Sequence, residues 1–227
     1  HGAARAALDL LRARLLLVRD PASHDALGVL VEVVQDAAAE PAERCDALAL
    51  ALEVKVAARR IDAAARLAEE SYDRIVSEPL CAPGRPAAAA AALAFARGGV
   101  AVELSGRVPA SRRFYEAALE RDPRCLTSLN NLAEQLARDP RTAGRAVELA
   151  TQAVSVAPDV PEYRDSLGNA LLASGRAEDA VAAYEAAIRL YERRGGGAGD
   201  TLTGLPDTEN VLVSRRSLAR AATARDN

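Results

Sequence analysis

The chain has 227 residues, a formal net charge of −3, and a composition that is 50% hydrophobic but only 3% aromatic. Lys55 is the only lysine among the 29 lysine and arginine residues. The arginines are interleaved with carboxylates, so positive charge is not concentrated in any one region, and we do not expect a nucleic-acid-binding surface. The abundance of alanine favours helices over sheets, and the lack of lysine is typical of a GC-rich, bacterial-like genome. The run of leucine and valine at 15–18 and the longer alanine-rich run at 87–96 are both far shorter than the ~20 residues of a membrane span.

The N-terminal third has helical periodicity with weak repeat character. Leu10, Ala13 and Leu17 fall on one side of a predicted helix, and similar stripes follow at the spacing of partner helices. We interpret residues 1–80 as degenerate helical hairpins. Residues 81–91 are rich in proline, glycine and alanine, which predicts a linker that leads into the next helix.

The clearest repeat lies between residues 161 and 194. Its first helix carries Gly168 within an apolar stripe, where a small residue allows a second helix to approach closely. Its second helix carries Ala180 and Tyr184 on one face. The same offsets recur in two preceding units with a period close to 34 residues, so residues 92–194 predict three stacked helical hairpins.

The C-terminal part predicts a connector and one more helix. Residues 195–206 contain a run of glycines, which predicts a flexible connector. The following helix, 207–227, has Val211, Leu218 and Ala222 on its apolar side. We expect this helix to fold back and cap the second helix of the last hairpin, near Ile188 and Tyr191. Insertion of the same helix into a binding groove is the alternative.

Residue types suited to catalysis or metal binding are scarce. The only histidines are His1 and His24, and the cysteines are far apart in sequence with no histidine or cysteine at ligand spacing nearby. We therefore expect Cys45, Cys81 and Cys125 to be small buried residues or free thiols. The glycine-rich connector lacks the lysine of a phosphate-binding loop. The sequence predicts a protein that is not an enzyme and has no catalytic residue, metal site or cofactor.

The repeat pattern of residues 92–194 resembles the tetratricopeptide repeat (TPR) family. The resemblance implies an all-α fold, a right-handed α-α superhelix or solenoid of about five helix hairpins with a C-terminal capping helix. In that family the first helix of each pair lines a concave groove that receives a peptide or protein segment. At the matching positions of this chain, the groove is expected to present seven polar side chains: Arg97, Asn130, Asn131, Glu134, Arg138, Asp165 and Asn169.

The resemblance implies a non-enzymatic protein–protein interaction scaffold. Asparagine both donates and accepts hydrogen bonds, so Asn131 and Asn169 are predicted to hold the backbone of an extended peptide; ordinary solvated residues are the alternative. Because the repeats contain no lysine, the lysine-dependent clamp for acidic chaperone tails is not expected.

Two other interpretations stay open. One is a regulatory or substrate-docking domain of a larger enzyme or transcriptional sensor. The other is a self-assembling scaffold, a homo-oligomer with exposed apolar residues on its N-terminal hairpin. The first residue is not methionine, which predicts a fragment or a processed chain. We expect a cytoplasmic protein, with a removed signal peptide as the alternative.

Overall fold

The computed structural model describes residues 2–194 and 207–226. The predicted glycine-rich connector, 195–206, lies outside the described residues. Within them the protein is all-α, as predicted, with no strand and with eleven α-helices: α1 (Gly2–Arg19), α2 (His24–Gln35), α3 (Pro41–Ala57), α4 (Ile61–Ser77), α5 (Ala88–Leu104), α6 (Val108–Arg121), α7 (Leu126–Leu136), α8 (Ala143–Val156), α9 (Pro161–Ala173), α10 (Ala177–Arg194) and α11 (Asp207–Asp226). A short 3-10 turn, Pro79–Cys81, precedes α5.

Neighbouring helices pack in sequence order, which is the arrangement of a helical solenoid. Helix α1 packs on α2, α3 on α4, α5 on α6, and α9 on α10, and these pairs join through contacts such as α2 with α3 and α8 with α9. The chain divides into two compact units, His1–Ser128 (unit 1) and Leu129–Asn227 (unit 2). No helix of the described ranges is both long and apolar enough to cross a membrane.

The α9–α10 hairpin depends on small residues where its helices meet. A Cβ atom on Gly168 would lie 2.6 Å from the ring of Tyr184. Ala180 is fully buried in the same cluster, which also contains Leu171. Just after α9, Gly175 has a φ of 79°, a left-handed conformation that suits glycine and ends the helix. The two helices therefore approach more closely than larger side chains would allow.

The α5–α6 hairpin repeats this arrangement with two glycines. A Cβ on Gly99 would lie 2.5 Å from the ring of Tyr115, and one on Gly98 would lie 2.9 Å from the ring of Phe114. Two adjacent glycines have a low helix propensity, which favours a bent or irregular helix, but α5 runs without a break from Ala88 to Leu104. The aromatic rings occupy the space that side chains would otherwise fill, and this packing offsets the low helix propensity of glycine.

Alanine at Gly99 should destabilise unit 1, whereas alanine at Gly28 should stabilise it. The Gly99→Ala methyl group overlaps the Tyr115 ring, and we expect a loss of about 1–3 kcal/mol. Gly28 lies on the exposed side of α2 with nothing near its Cβ position, so Gly28→Ala should gain roughly 0.5–1 kcal/mol from helix propensity. Urea unfolding followed by circular dichroism measures both changes. Equal effects of the two substitutions would show that the close approach is not needed.

Candidate peptide-binding groove

A surface groove of about 640 Å³ lies in unit 2. Its walls come from the end of α7 and the turn that follows, from α9, and from one residue of α11. The lining residues are Glu134, Ala137, Arg138, Pro140, Asn169, Leu172, Ala173 and Arg220. Three of the seven predicted site residues, Glu134, Arg138 and Asn169, therefore lie together in this groove. The sequence did not point to Arg220, because this charged residue lies off the predicted apolar side of the capping helix, the side expected to make its contacts.

Asn169 is held in one orientation by the neighbouring helix. The hydroxyl of Tyr184 on α10 donates a hydrogen bond of 2.8 Å to Oδ1 of Asn169. Since the Asn169 carbonyl already accepts this bond, its Nδ2 group supplies the donors for the exposed side of α9. Sequence reasoning treated Tyr184 only as a packing residue, and nothing in the repeat spacing reveals that its hydroxyl reaches Asn169.

Glu134 is fixed by two donors. Its Oε1 atom accepts hydrogen bonds from Nδ2 of Asn130 at 3.1 Å and from the hydroxyl of Ser166 at 2.6 Å. Asn130 is only 4% exposed and also contacts Oδ1 of Asn131 at 3.3 Å. Asn130 therefore orients Glu134, and neither Asn130 nor Asn131 is among the residues that line the groove.

Asp165 is a half-buried carboxyl group close to Ser214 of α11. Its Oδ1 atom is buried and has no hydrogen-bond partner among the described residues. Burial raises the pKa of Asp165 to about 6, and the charges of Glu134 and Glu162 act in the same direction. Ser214 on α11 opposes the shift through its proximity, although its buried hydroxyl oxygen forms no hydrogen bond of ordinary geometry among the described residues. Asp165 is not among the residues that line the groove, so its expected contact with a ligand stays a prediction.

Helix α11 caps the last hairpin by packing on α10 and α9. Leu218 packs against a cluster that includes Tyr184 and Ala221, and Arg215 forms an ion pair of 2.8 Å with Glu192 on α10. The docked face differs from the predicted apolar side, since Val211 and Ala222 are only half-buried. The residues that α11 buries are Asn210, Ser214 and Ala221. A partly polar face docks here because it meets the Asp165 carboxyl group and the Tyr184 hydroxyl group.

Arg97, the remaining predicted site residue, belongs to unit 1. It lies on α5 and pairs with Glu53 of α3, with 3.4 Å between Nη2 and Oε2. Both side chains are substantially exposed, so this pair contributes little to stability. In the described part of the chain, no group of three or more His, Cys, Asp or Glu residues is arranged to hold a metal ion.

Comparisons with known proteins identify the fold. No family model and no curated protein matches the sequence. Among solved structures, YrrB, described as a TPR protein with an unusual peptide-binding site, superposes with a TM-score of 0.58 at 14% identity over 80% of this chain and 84% of its own. MamA MSR-1 superposes with a TM-score of 0.58 at 15% identity, over 84% of this chain and 99% of its own. The thermophilic TPR protein TTC0263 of Thermus thermophilus superposes with a TM-score of 0.51 at 16% identity, over 96% of this chain and 99% of its own. The chain has the helical solenoid fold of TPR proteins.

The raised pKa of Asp165 predicts that unit 2 becomes more stable as the pH falls. The folded protein holds a proton on Asp165 more tightly than the unfolded chain, so stability rises as the pH falls through about 6 and levels off below the ordinary value of 3.8. At pH 7.5 the buried charge costs roughly 2–3 kcal/mol. Asp165→Asn should therefore be more stable than the parent at pH 7.5, and the difference should shrink towards pH 4. Thermal melts of both proteins across this range check the result; a difference independent of pH would contradict it.

Proposed function

We propose that the protein is a non-enzymatic interaction scaffold whose groove in unit 2 binds an extended peptide or protein segment. The observation that carries this proposal is the bond from Tyr184 to Asn169, which leaves the Asn169 amide group as a donor. An extended peptide offers main-chain carbonyl groups as acceptors for such a donor. The peptide-binding site for which YrrB is described, on the same fold, supports this proposal. A regulatory or substrate-docking domain would use the same groove.

The charges of the groove favour a segment that carries an acidic side chain. Arg138 and Arg220 line the groove and have no ion-pair partner among the described residues. The single carboxylate of the lining, Glu134, already accepts two hydrogen bonds. The groove thus has an excess of positive charge and of donors, and both complement a carboxylate next to main-chain carbonyl groups.

A displayed library of random eight-residue peptides provides a probe for this proposal, with affinities of selected peptides measured by fluorescence anisotropy. We expect acidic residues to be enriched, and Asn169→Ala and Arg138→Ala each to weaken binding by about tenfold, a typical loss for a hydrogen bond to a charged or main-chain group. Arg145→Ala is the matched control, because Arg145 pairs with Glu148 on α8 and does not line the groove. Equal affinities for all three variants would reject the groove as the binding site.

Self-association is a second candidate function, favoured by the surface of α1. One side of this helix is buried through residues such as Ala6, Leu10 and Ala13. A second side carries large apolar residues that are 56–83% exposed, at spacings of three, four and three residues: Leu8, Leu11, Leu15 and Val18. This spacing is that of a helix–helix seam. The self-assembly hypothesis predicts exposed apolar residues on the N-terminal hairpin, and these four residues of α1 are exposed and apolar.

Light scattering coupled to size-exclusion chromatography tests self-association. The mean mass should rise above the 23.8 kDa of one chain as the concentration increases from micromolar to near-millimolar values. The double substitution Leu11→Gln and Leu15→Gln should keep the protein monomeric. Leu104→Gln is the control, since Leu104 is equally exposed but lies on α5. A parent protein that stays monomeric throughout would rule out this candidate.

A further inference from the structure

Two of the three cysteines meet in unit 1. Cys45 lies on α3 and Cys81 ends the 3-10 turn, so 36 positions separate them in sequence. Their Sγ atoms are nevertheless 3.6 Å apart, and the two residues are only 2% and 1% exposed. The sequence does not predict that these two cysteines are neighbours. They come together because the 3-10 turn packs against α3.

Contacts that do not involve the thiols hold the two cysteines in place. Next to Cys45, Arg44 forms an ion pair of 3.0 Å with Glu78 at the start of the turn. At the other end, Nε of Arg121 donates a hydrogen bond of 2.9 Å to the carbonyl oxygen of Cys81. The Arg121 guanidinium is nearly buried and lies 4.7 Å from the centre of the Phe95 ring. The ion pair of Arg44 ties the turn to α3, and the hydrogen bond of Arg121 ties it to α6.

We propose that Cys45 and Cys81 are a reversible modification site that forms an intramolecular disulfide with a small-molecule disulfide as oxidant. A disulfide requires about 2.05 Å between the sulfur atoms, so the thiols must approach by roughly 1.5 Å. Side-chain rotation covers such a distance without sliding of the helices. Since folding already brings the two residues together, little further conformational entropy is lost when the bond closes.

The reaction proceeds through a mixed disulfide. The Cys81 thiolate attacks one sulfur of the oxidant and releases the first small thiolate. Cys45 then passes its proton to a departing thiolate and attacks the Cys81 sulfur, which forms the protein disulfide and releases the second small thiol. Two protein thiols are oxidised and one oxidant disulfide is reduced to two thiols. Because Cys81 is buried, the proposal requires the exposed segment 83–86, which follows it in sequence, to move and admit the oxidant.

The surroundings assign the first attack to Cys81. The contact between the two thiols, in which either sulfur can be the donor, lowers the pKa of Cys81 and raises the pKa of Cys45. Burial and the charge of Glu78 raise the pKa of Cys81, whereas the positive charges of Arg121 and Arg44 favour its thiolate, and the net shift is downward. Cys125, which is half-buried and contacts the hydroxyl of Ser128 at 3.5 Å, lacks a thiol neighbour among the described residues.

Equilibration of the full chain in a buffer of reduced and oxidised glutathione tests the proposal. Trypsin places the cysteines in three separate peptides, 45–55, 75–97 and 125–138, because the Arg85–Pro86 bond resists cleavage. Mass spectrometry should find 45–55 joined to 75–97, with a loss of two hydrogens from the intact mass and full reversal by a reducing agent. The equilibrium constant for this bond should be at least tenfold larger in the native protein than in concentrated urea, because the fold brings the thiols together.

Three variants make the outcome decisive. Cys125→Ser should form the bond as the parent does, while Cys81→Ser and Cys45→Ser should lose it. Because the urea-unfolded chain serves as the reference, a variant that folds poorly does not affect the central comparison. An equilibrium constant no larger in the native protein than in urea, or a dominant bond to Cys125, would overturn the proposal. Glutathione adducts on Cys81 without closure to Cys45 would overturn it as well.

Discussion

The close approach of the two helices in a hairpin is the constraint on which the rest of this structure depends. In α9–α10 it requires Gly168, since a Cβ there would overlap the Tyr184 ring. The same contact places the Tyr184 hydroxyl 2.8 Å from Asn169, one residue further along α9. A glycine that permits packing and an asparagine that faces the groove are thus joined through one tyrosine. The packing of this hairpin and the orientation of its main donor have the same cause.

The capping helix completes the groove and also limits it. By docking on α9 and α10, α11 contributes Arg220 to the lining and partly covers Asp165. The cap therefore exchanges surface charge: it adds a basic group to the groove and partly covers an acidic one nearby. This exchange explains why the groove is richer in positive charge than the residues of α7 and α9 alone would make it.

The fold followed from the sequence because its signals are local. The spacing of Leu167, Gly168, Ala180 and Tyr184 determines helix type, pairing and closeness of approach without any distant residue. The site was harder to predict because it depends on which polar atoms meet. Asn130 and Asp165 are polar residues on the first helices of their hairpins, α7 and α9, which the resemblance places in the groove. Asn130 instead donates a hydrogen bond to Glu134, and Asp165 lies close to Ser214 of α11. Likewise, the contact of Cys45 with Cys81 depends on how a turn folds back, which periodicity does not encode.

Peptide binding in the proposed groove depends on a hydrogen bond that Asn169 donates to the bound segment. The most direct measurement is the side-chain amide signal of Asn169 in a nitrogen-15 NMR spectrum of the full chain, titrated with a peptide selected from the library. We expect a large shift of the Asn169 Nδ2 signals that saturates with binding, while those of the buried Asn130 change little. An Asn169 signal that stays fixed while the peptide binds would show that Asn169 does not donate this bond.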